Sequence, residues 1–289
     1  MSHASRNDIV KRLGMMFNAS SQVHVYALID GALQPAAWKE MSRRCPTFSL
    51  LPEGTDGGTS ATAALPFLVK IDGESAAFAM DYTVDLALEH HAATWLTSWL
   101  AIDVLAQRLA KRLDAEVPDM QVILRFADAR ILPAVRDAMN PAQSLTFFSG
   151  IASWWYLERN WELTELDIPR DANSSAGVDV FCPPLILSAA QEAQLMQTAE
   201  PDSVMALIDK HDPQALRPIP KNQHHAFVKE QMKAADLWGI TSASDQALFC
   251  MIALEHSPDF HRSEQWQAAL QQVKVGHITL TQALEQNTP

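Results

Sequence analysis

Val23-His-Val-Tyr-Ala-Leu-Ile29, closed by Asp30-Gly31, is an apolar run rich in β-branched and aromatic residues that stops at a turn pair. Such a run reads as a strand, and the same reading extends outward from it. A helix is expected over about Pro35 to Arg43, a short strand from Phe48 to Leu51, and a second apolar strand at Leu65-Pro-Phe-Leu-Val-Lys-Ile71. Helical residues Asp85 to His91 precede a strand within Ala93-Thr-Trp-Leu-Thr-Ser-Trp-Leu100. From Ile102 the pattern is amphipathic: Ile102, Leu105, Leu109 and Leu113 recur at spacings of three and four, while Asp103, Arg108, Lys111 and Arg112 lie off the stripe. Met120 to Phe126 reads as a strand, Ile131 to Met139 as a helix, and Ser144 to Leu157 as a long aromatic strand or a bent pair. Strands alternating with helices in this way predict an α/β lobe, a mixed sheet layered with helices.

Periodicity is lost between Asn160 and Pro184, where Asp, Pro, Asn, Ser and Gly cluster. A boundary is expected near residue 184, dividing an α/β lobe (1–184) from a small all-helical lobe (185–289). Helix-start signals stand at Ser188-Ala-Ala-Gln191, Ser242-Ala-Ser-Asp245 and Thr279-Leu-Thr-Gln282, two of them capping boxes and the middle one an Asp variant. Trp266, Leu270 and Val273 supply a last apolar stripe, and roughly five short helices are expected in the second lobe.

With 289 residues, 48% hydrophobic and 19% charged, the chain has the composition of a folded globular protein. It holds no apolar run near the roughly 20 residues that span a bilayer, and its first residues are polar. A cytoplasmic protein without membrane insertion is therefore expected. Cys45, Cys182 and Cys250 are scattered and odd in number, which suits reduced thiols better than disulfides or a zinc site. The net charge of −12 disfavours nucleic acid, whose binding needs a basic face. Residues 1–160 carry 14 Lys+Arg against 17 Asp+Glu, net −3, and residues 161–289 carry 8 against 17, net −9. An acidic C-terminal portion is expected from that division.

No catalytic motif stands out. Pro52-Glu-Gly-Thr-Asp-Gly-Gly58 lacks the Lys-Ser/Thr ending of a phosphate loop, so no cofactor is expected. Gly-x-Ser-x-Gly and His-Glu-x-x-His are both absent, and the adjacent pairs His90-His91 and His224-His225 would point about 100° apart on a helix rather than share an ion. Asp30 and Asp128 could serve as paired carboxylates only if the fold set their separation suitably. Arg125-Phe-Ala-Asp-Ala-Arg130 is the densest charge cluster in an apolar context. Asp128 between two arginines would be held ionised, either fixing a strand-to-helix turn or presenting arginine to a partner's carboxylate. Neighbouring Trp154 and Trp155 on a strand must face opposite ways, so one should lie on an outer face or under the second lobe.

The ordered set Tyr26-Ala-Leu-Ile-Asp-Gly-Ala32, Ser49-Leu-Leu51, Leu65-Pro-Phe-Leu-Val69, Trp95-Leu-Thr-Ser98, Arg125-Phe-Ala-Asp-Ala-Arg130 and Phe147-Phe148-Ser-Gly-Ile151 resembles one family across about residues 20–160. That family is the adaptor chaperones of bacterial type VI secretion. Its usual pattern Arg-Phe-Tyr-Asp-Pro-Arg is altered here, with Ala127 and Ala129 in place of Tyr and Pro. The resemblance implies a non-catalytic protein that binds a toxic effector in the cytoplasm and helps place it on the VgrG spike, with a variable second lobe. It marks Asp30, Gly31, Arg125, Asp128 and Arg130 as family-motif positions, and strand geometry adds Trp154 and Trp155 as candidate partner contacts. An immunity protein that neutralises a toxin by binding it is the alternative, and a carboxylate-dependent hydrolase is a further one.

Overall fold

The computed structural model describes residues 6–18, 23–52, 58–169 and 177–287. Residues 53–57 of the Gly-rich segment and residues 170–176 of the Asp167–Gly177 stretch lie outside the described residues. The chain forms two compact units, Met1–Leu195 and Met196–Pro289.

In the first unit, α1 (Arg6–Asn18), β1 (His24–Ile29), α2 (Pro35–Met41), β2 (Thr47–Ser49), α3 (Thr59–Ala64), β3 (Phe67–Lys70), α4 (Ala76–His90) and β4 (Ala93–Ser98) alternate along the chain. They are followed by α5 (Ile102–Lys111), β5 (Asp114–Val117), β6 (Met120–Ile123), α6 (Leu132–Ala138), α7 (Pro141–Phe147), β7 (Ile151–Leu157), β8 (Leu163–Glu165) and β9 (Leu185–Ile186). Six strands form one sheet in the order β2-β3-β1-β4-β7-β8, antiparallel at every junction. A smaller sheet runs β6-β5-β9, with β5 and β6 antiparallel and β5 and β9 parallel. The α/β expectation is met, with both kinds of pairing present.

The large sheet is buried on both faces. Tyr26, Leu28, Leu68, Leu96 and Trp154 point into one core with α5, α6 and α7, and Ala27, Ile29, Phe67, Val69 and Trp95 into the other with α1, α2 and α4. This is the period-two alternation of a strand, with apolar residues required at both parities. It explains why residues 25–29 of β1 read as an unbroken apolar run.

Two local expectations are corrected. Residues 144–147 are helical, not extended, because Asn140-Pro141-Ala-Gln143 starts α7. The Asn140 carboxamide accepts from Gln143 N, the Gln143 side chain accepts from Asn140 N, both at 2.9 Å, and Pro141 occupies the first turn. Gly150, at φ +85°, then turns the chain into β7. Arg108 and Arg112, off the apolar stripe of α5, are nevertheless buried.

The second unit takes up α8 (Ala189–His211) after its first turns and then α9 (His224–Leu237), α10 (Ala243–Glu255), α11 (Glu264–Lys274) and α12 (Leu280–Asn287). Its core gathers Phe249, Ile252, Phe260, Trp266, Leu270 and Leu280, with Val204, Ile208, Val228 and Cys250 in a second cluster. Ser242 and Thr279 cap α10 and α12 as the sequence signals indicate. Residues just past 184 belong with the first unit: β9 pairs with β5, and Gln191 donates to Ala138 O and to the Gln143 side chain, both at 2.7 Å. With the division at Leu195, the first unit carries 15 Lys+Arg against 23 Asp+Glu, net −8, and the second 7 against 11, net −4. The surplus of acids after residue 160 is therefore shared almost evenly between the first unit's last segment, net −5, and the second unit, net −4. Among the described residues, no helix is long and apolar enough to cross a membrane.

Candidate partner-binding site

The turn after β1 is built around Asp30. Its main-chain N–H donates to Ala92 O at 2.9 Å, and its Oδ1 accepts from the N–H groups of Ala32 (2.9 Å) and Leu33 (3.3 Å). A Cβ on Gly31 would lie 2.3 Å from the carbonyl oxygens of both Ala63 and Leu65, so only glycine lets the chain pass.

The other oxygen of Asp30 reaches across the fold. Arg125 Nη2 donates to Asp30 Oδ2 at 3.1 Å and lies 3.4 Å from Asp128 Oδ2. Asp128 also receives Arg130 twice, from Nε to Oδ1 at 3.0 Å and from Nη2 to Oδ2 at 2.8 Å, together with the Arg130 N–H at 3.0 Å. This is a bidentate pair closed over a tight turn, and Asp128 O accepts from Leu132 N in the first turn of α6. Both carboxylates are buried, while the Arg125 side chain is 48% exposed. The expected Arg125–Asp128–Arg130 constellation is therefore present, and Asp30 and Gly31 join it from 95 residues away. The cluster locks two loops at one end of the sheet and leaves one face of a guanidinium open to solvent.

Trp154 and Trp155 face opposite ways, as strand geometry requires. Trp154 is fully buried, donates from Nε1 to Thr94 Oγ1 at 2.9 Å, and meets Phe126 and Phe148 edge to face. Trp155 is half-buried against the opposite core, beside Trp95 of β4. Trp154 offers no surface to a partner, and what Trp155 offers is limited by that packing.

Arg112 is the residue that sequence reasoning missed. It is 1% exposed, and its guanidinium donates to the main-chain oxygens of Phe147, Arg108 and Ser149 and to Asp179 Oδ1 at 3.0 Å, lying over the Phe181 ring. Burial lowers its pKa, and Asp179 opposes that shift. Carbonyls at the C-terminal end of α7 thus find donors from α5 rather than from water.

A groove of about 490 Å³ opens beside α5 in the same unit, walled by Leu51, Leu65, Leu113, Val122, Ile123 and Pro183. Among the described residues, its charged lining residues are Lys111 and Asp114. The groove and the arginine cluster share chain: the Leu65 carbonyl rests against Gly31, and Arg125 follows β6 directly after Leu124.

The histidines are placed as fold elements. His91, at φ +54°, closes α4, His224 Nε2 lies 2.8 Å from Ile219 O, and His261 packs against Phe249 and Phe260. Among the described residues no three or more His, Cys, Asp or Glu side chains gather to hold a metal ion. Cys45 and Cys250 are buried, Cys182 is exposed, and burial pushes the Cys250 thiol up to about 12.

Residues 25–145 match a family described as a domain of unknown function, DUF4123. The match runs from β1 into α7 and so contains Asp30, Gly31, Arg125, Asp128, Arg130 and every groove wall named above except Pro183. Trp154, Trp155 and the second unit fall outside it. No curated protein and no solved structure matches the chain significantly.

Proposed function

We propose that this chain is a non-catalytic adaptor chaperone, which binds a type VI secretion effector in the cytoplasm and helps to load it onto the VgrG spike. The observation that carries this reading is where the groove beside α5 lies. It is apolar, opens within the segment of the family match, and adjoins the arginine cluster whose motif residues resemble those of the adaptor family. A binding protein needs complementary apolar surface, whereas acid–base chemistry needs ionisable groups converging on a pocket.

The arrangement of the carboxylates supports the same reading. Asp30 and Asp128 are each held by arginine and by main-chain N–H groups. A hydrolytic pair would have to present free carboxylate oxygens to a substrate. The acidic surface of both units suits a basic cargo, since opposite net charge speeds encounter and holds a partner in register.

Co-purification of the tagged protein from its native cells, with each retained partner identified by mass, tests the proposal. A spike protein together with a toxin-like polypeptide is the expected result. A toxin without the spike would instead indicate an immunity protein, and loss of all partners would reopen the hydrolase alternative.

A further inference from the structure

Among the described residues, the small sheet ends in an edge that no other element covers. In the order β6-β5-β9, strand β6 has a neighbour on one side only. Leu124 N donates to Leu113 O at 2.8 Å, which fixes the phase of the ladder. In an antiparallel pair the inward-pointing residues alternate, so Val122 and Met120 turn their N–H and C=O groups towards β5, and Gln121 and Ile123 turn theirs away. Natural edges are usually blunted by lysine, proline or a covering element. Met120-Gln-Val-Ile123 carries neither lysine nor proline, and Met120 and Ile123 are 61% and 69% exposed.

The groove reaches that strand. Gln121, Val122 and Ile123 line it on one side, and α5 with Leu65 and Leu51 lines it on the other. A strand laid beside β6 would continue the core-facing side of the sheet, where Ala115, Val122 and Leu185 sit, and would direct every second side chain into the apolar cavity. Its intervening side chains would continue the opposite side, which β5 furnishes with exposed Glu116 and with Asp114 at the groove rim, while exposed Asp119 stands in the hairpin turn. The cation in the groove wall, Lys111, is drawn towards Asp179, 3.8 Å away. The outer side, with exposed Glu116 and Asp119 and with Asp114 at its rim, is acidic.

We infer that the β6 edge and the adjoining groove form a docking site for an extended segment of a partner polypeptide, aliphatic at alternate positions and carrying lysine or arginine between them. Main-chain pairing fixes the partner's direction and register, the groove selects the aliphatic side chains, and Asp114 and Glu116 select the basic ones. Gln121 and Ile123 offer only four main-chain groups, so apolar filling of the groove supplies much of the affinity. That this partner is the secreted effector rests on the adaptor reading. The site itself does not, and the test below uses a peptide alone, so that failure of one is distinguishable from failure of the other.

The probe is a blocked seven-residue peptide alternating valine and lysine, titrated against the full chain while amide hydrogen exchange is followed residue by residue. Saturable binding with slowed exchange at Gln121 and Ile123 is expected. The same peptide N-methylated at every residue keeps its charge and side chains but cannot donate, and should bind at least about tenfold more weakly. Ile123→Pro removes an outward N–H without touching the β5 ladder and should weaken the peptide by a similar factor. The exposed double substitution Asp114→Lys/Glu116→Lys should reverse the preference, favouring a valine–glutamate peptide over the valine–lysine one. Equal binding of the N-methylated peptide, protection confined to other residues, an unchanged preference in the double variant, or absence of saturable binding would each overturn the inference.

Discussion

The two units solve the same problem by different means. Every buried main-chain N–H and C=O must find a partner. In the first unit, strands end in irregular loops at both ends of the sheet, and buried ionic groups do the satisfying: Arg112 serves the carbonyls of Arg108, Thr146, Phe147 and Ser149 together with Asp179, and Asp30 and Asp128 serve turn amides while pairing with arginines. In the second unit, helices satisfy their own backbone, and hydroxyl caps such as Ser242 and Thr279 close the ends. One of its ion pairs, Arg262–Asp259, is exposed. Buried charge appears where backbone geometry leaves groups that neither a helix nor water can reach.

The sharpest way to break this contrast is Arg112→Ala. It leaves several carbonyls and the Asp179 carboxylate without their donor in a buried site, and breaking a buried ion pair from one side costs about 3 to 5 kcal/mol. Denaturant unfolding should show that loss in the first unit, with hydrogen exchange in α10 and α11 nearly unchanged. Equal loosening of both units would overturn the assignment of the Arg112 site's effect to the first unit. By comparison Arg6, which pairs with Asp81 and Asp85 but is 39% exposed, should cost under about 1 kcal/mol when replaced by alanine.

The turn cluster comes next. Asp128→Asn keeps the shape but removes the charge that holds Arg130 in two bonds and attracts Arg125, so a loss of about 2 kcal/mol is expected in the first unit's denaturation. Gly31→Ala drives a methyl group against two main-chain oxygens and should cost about 1 to 3 kcal/mol in the same measurement. A neutral result for either would mean that the loops at this end of the sheet can relax independently. For the second unit, Ser242→Ala removes the cap of α10 and should cost about 1 kcal/mol.

The same contrast governs what could be read from the sequence. Caps are local: Ser188 with Gln191, Ser242 with Asp245 and Thr279 with Gln282 are each three residues apart, and all three form. The Arg125–Asp128–Arg130 turn was legible for that reason too. The contact of Arg125 with Asp30 spans 95 positions and that of Arg112 with Asp179 spans 67, and no periodicity encodes them. Arg112 lies off the α5 stripe, so a helical wheel assigns it to solvent, and only the arrival of α7 and the 179–181 segment buries it. The start of α7 was hidden differently: Asn140-Pro141-Ala-Gln143 is a good local signal, overridden in the reading by the aromatic run that follows. At Ile123 the signal was a strand with apolar residues at both parities, which indicates two covered faces or an edge awaiting cover.

The smallest effect concerns pH and separates the units once more. His261 lies in the aromatic core of the second unit, where burial lowers its pKa, with Arg262 adding to the shift and Asp259 opposing it. A depressed histidine favours the folded state while the ring is neutral. Its contribution is thus complete above the ordinary histidine value of about 6.5 and declines as the pH falls through that value towards the lower pKa of the folded state. The slope from this one proton cannot exceed about 1.4 kcal/mol per pH unit. Unfolding of the second unit should therefore become easier below about pH 6.5, and His261→Phe, which keeps a ring between Phe249 and Phe260, should flatten that dependence. An unchanged slope in the variant would place the acid sensitivity on carboxylates, and so extend to the second unit the dependence on buried charge that distinguishes the first.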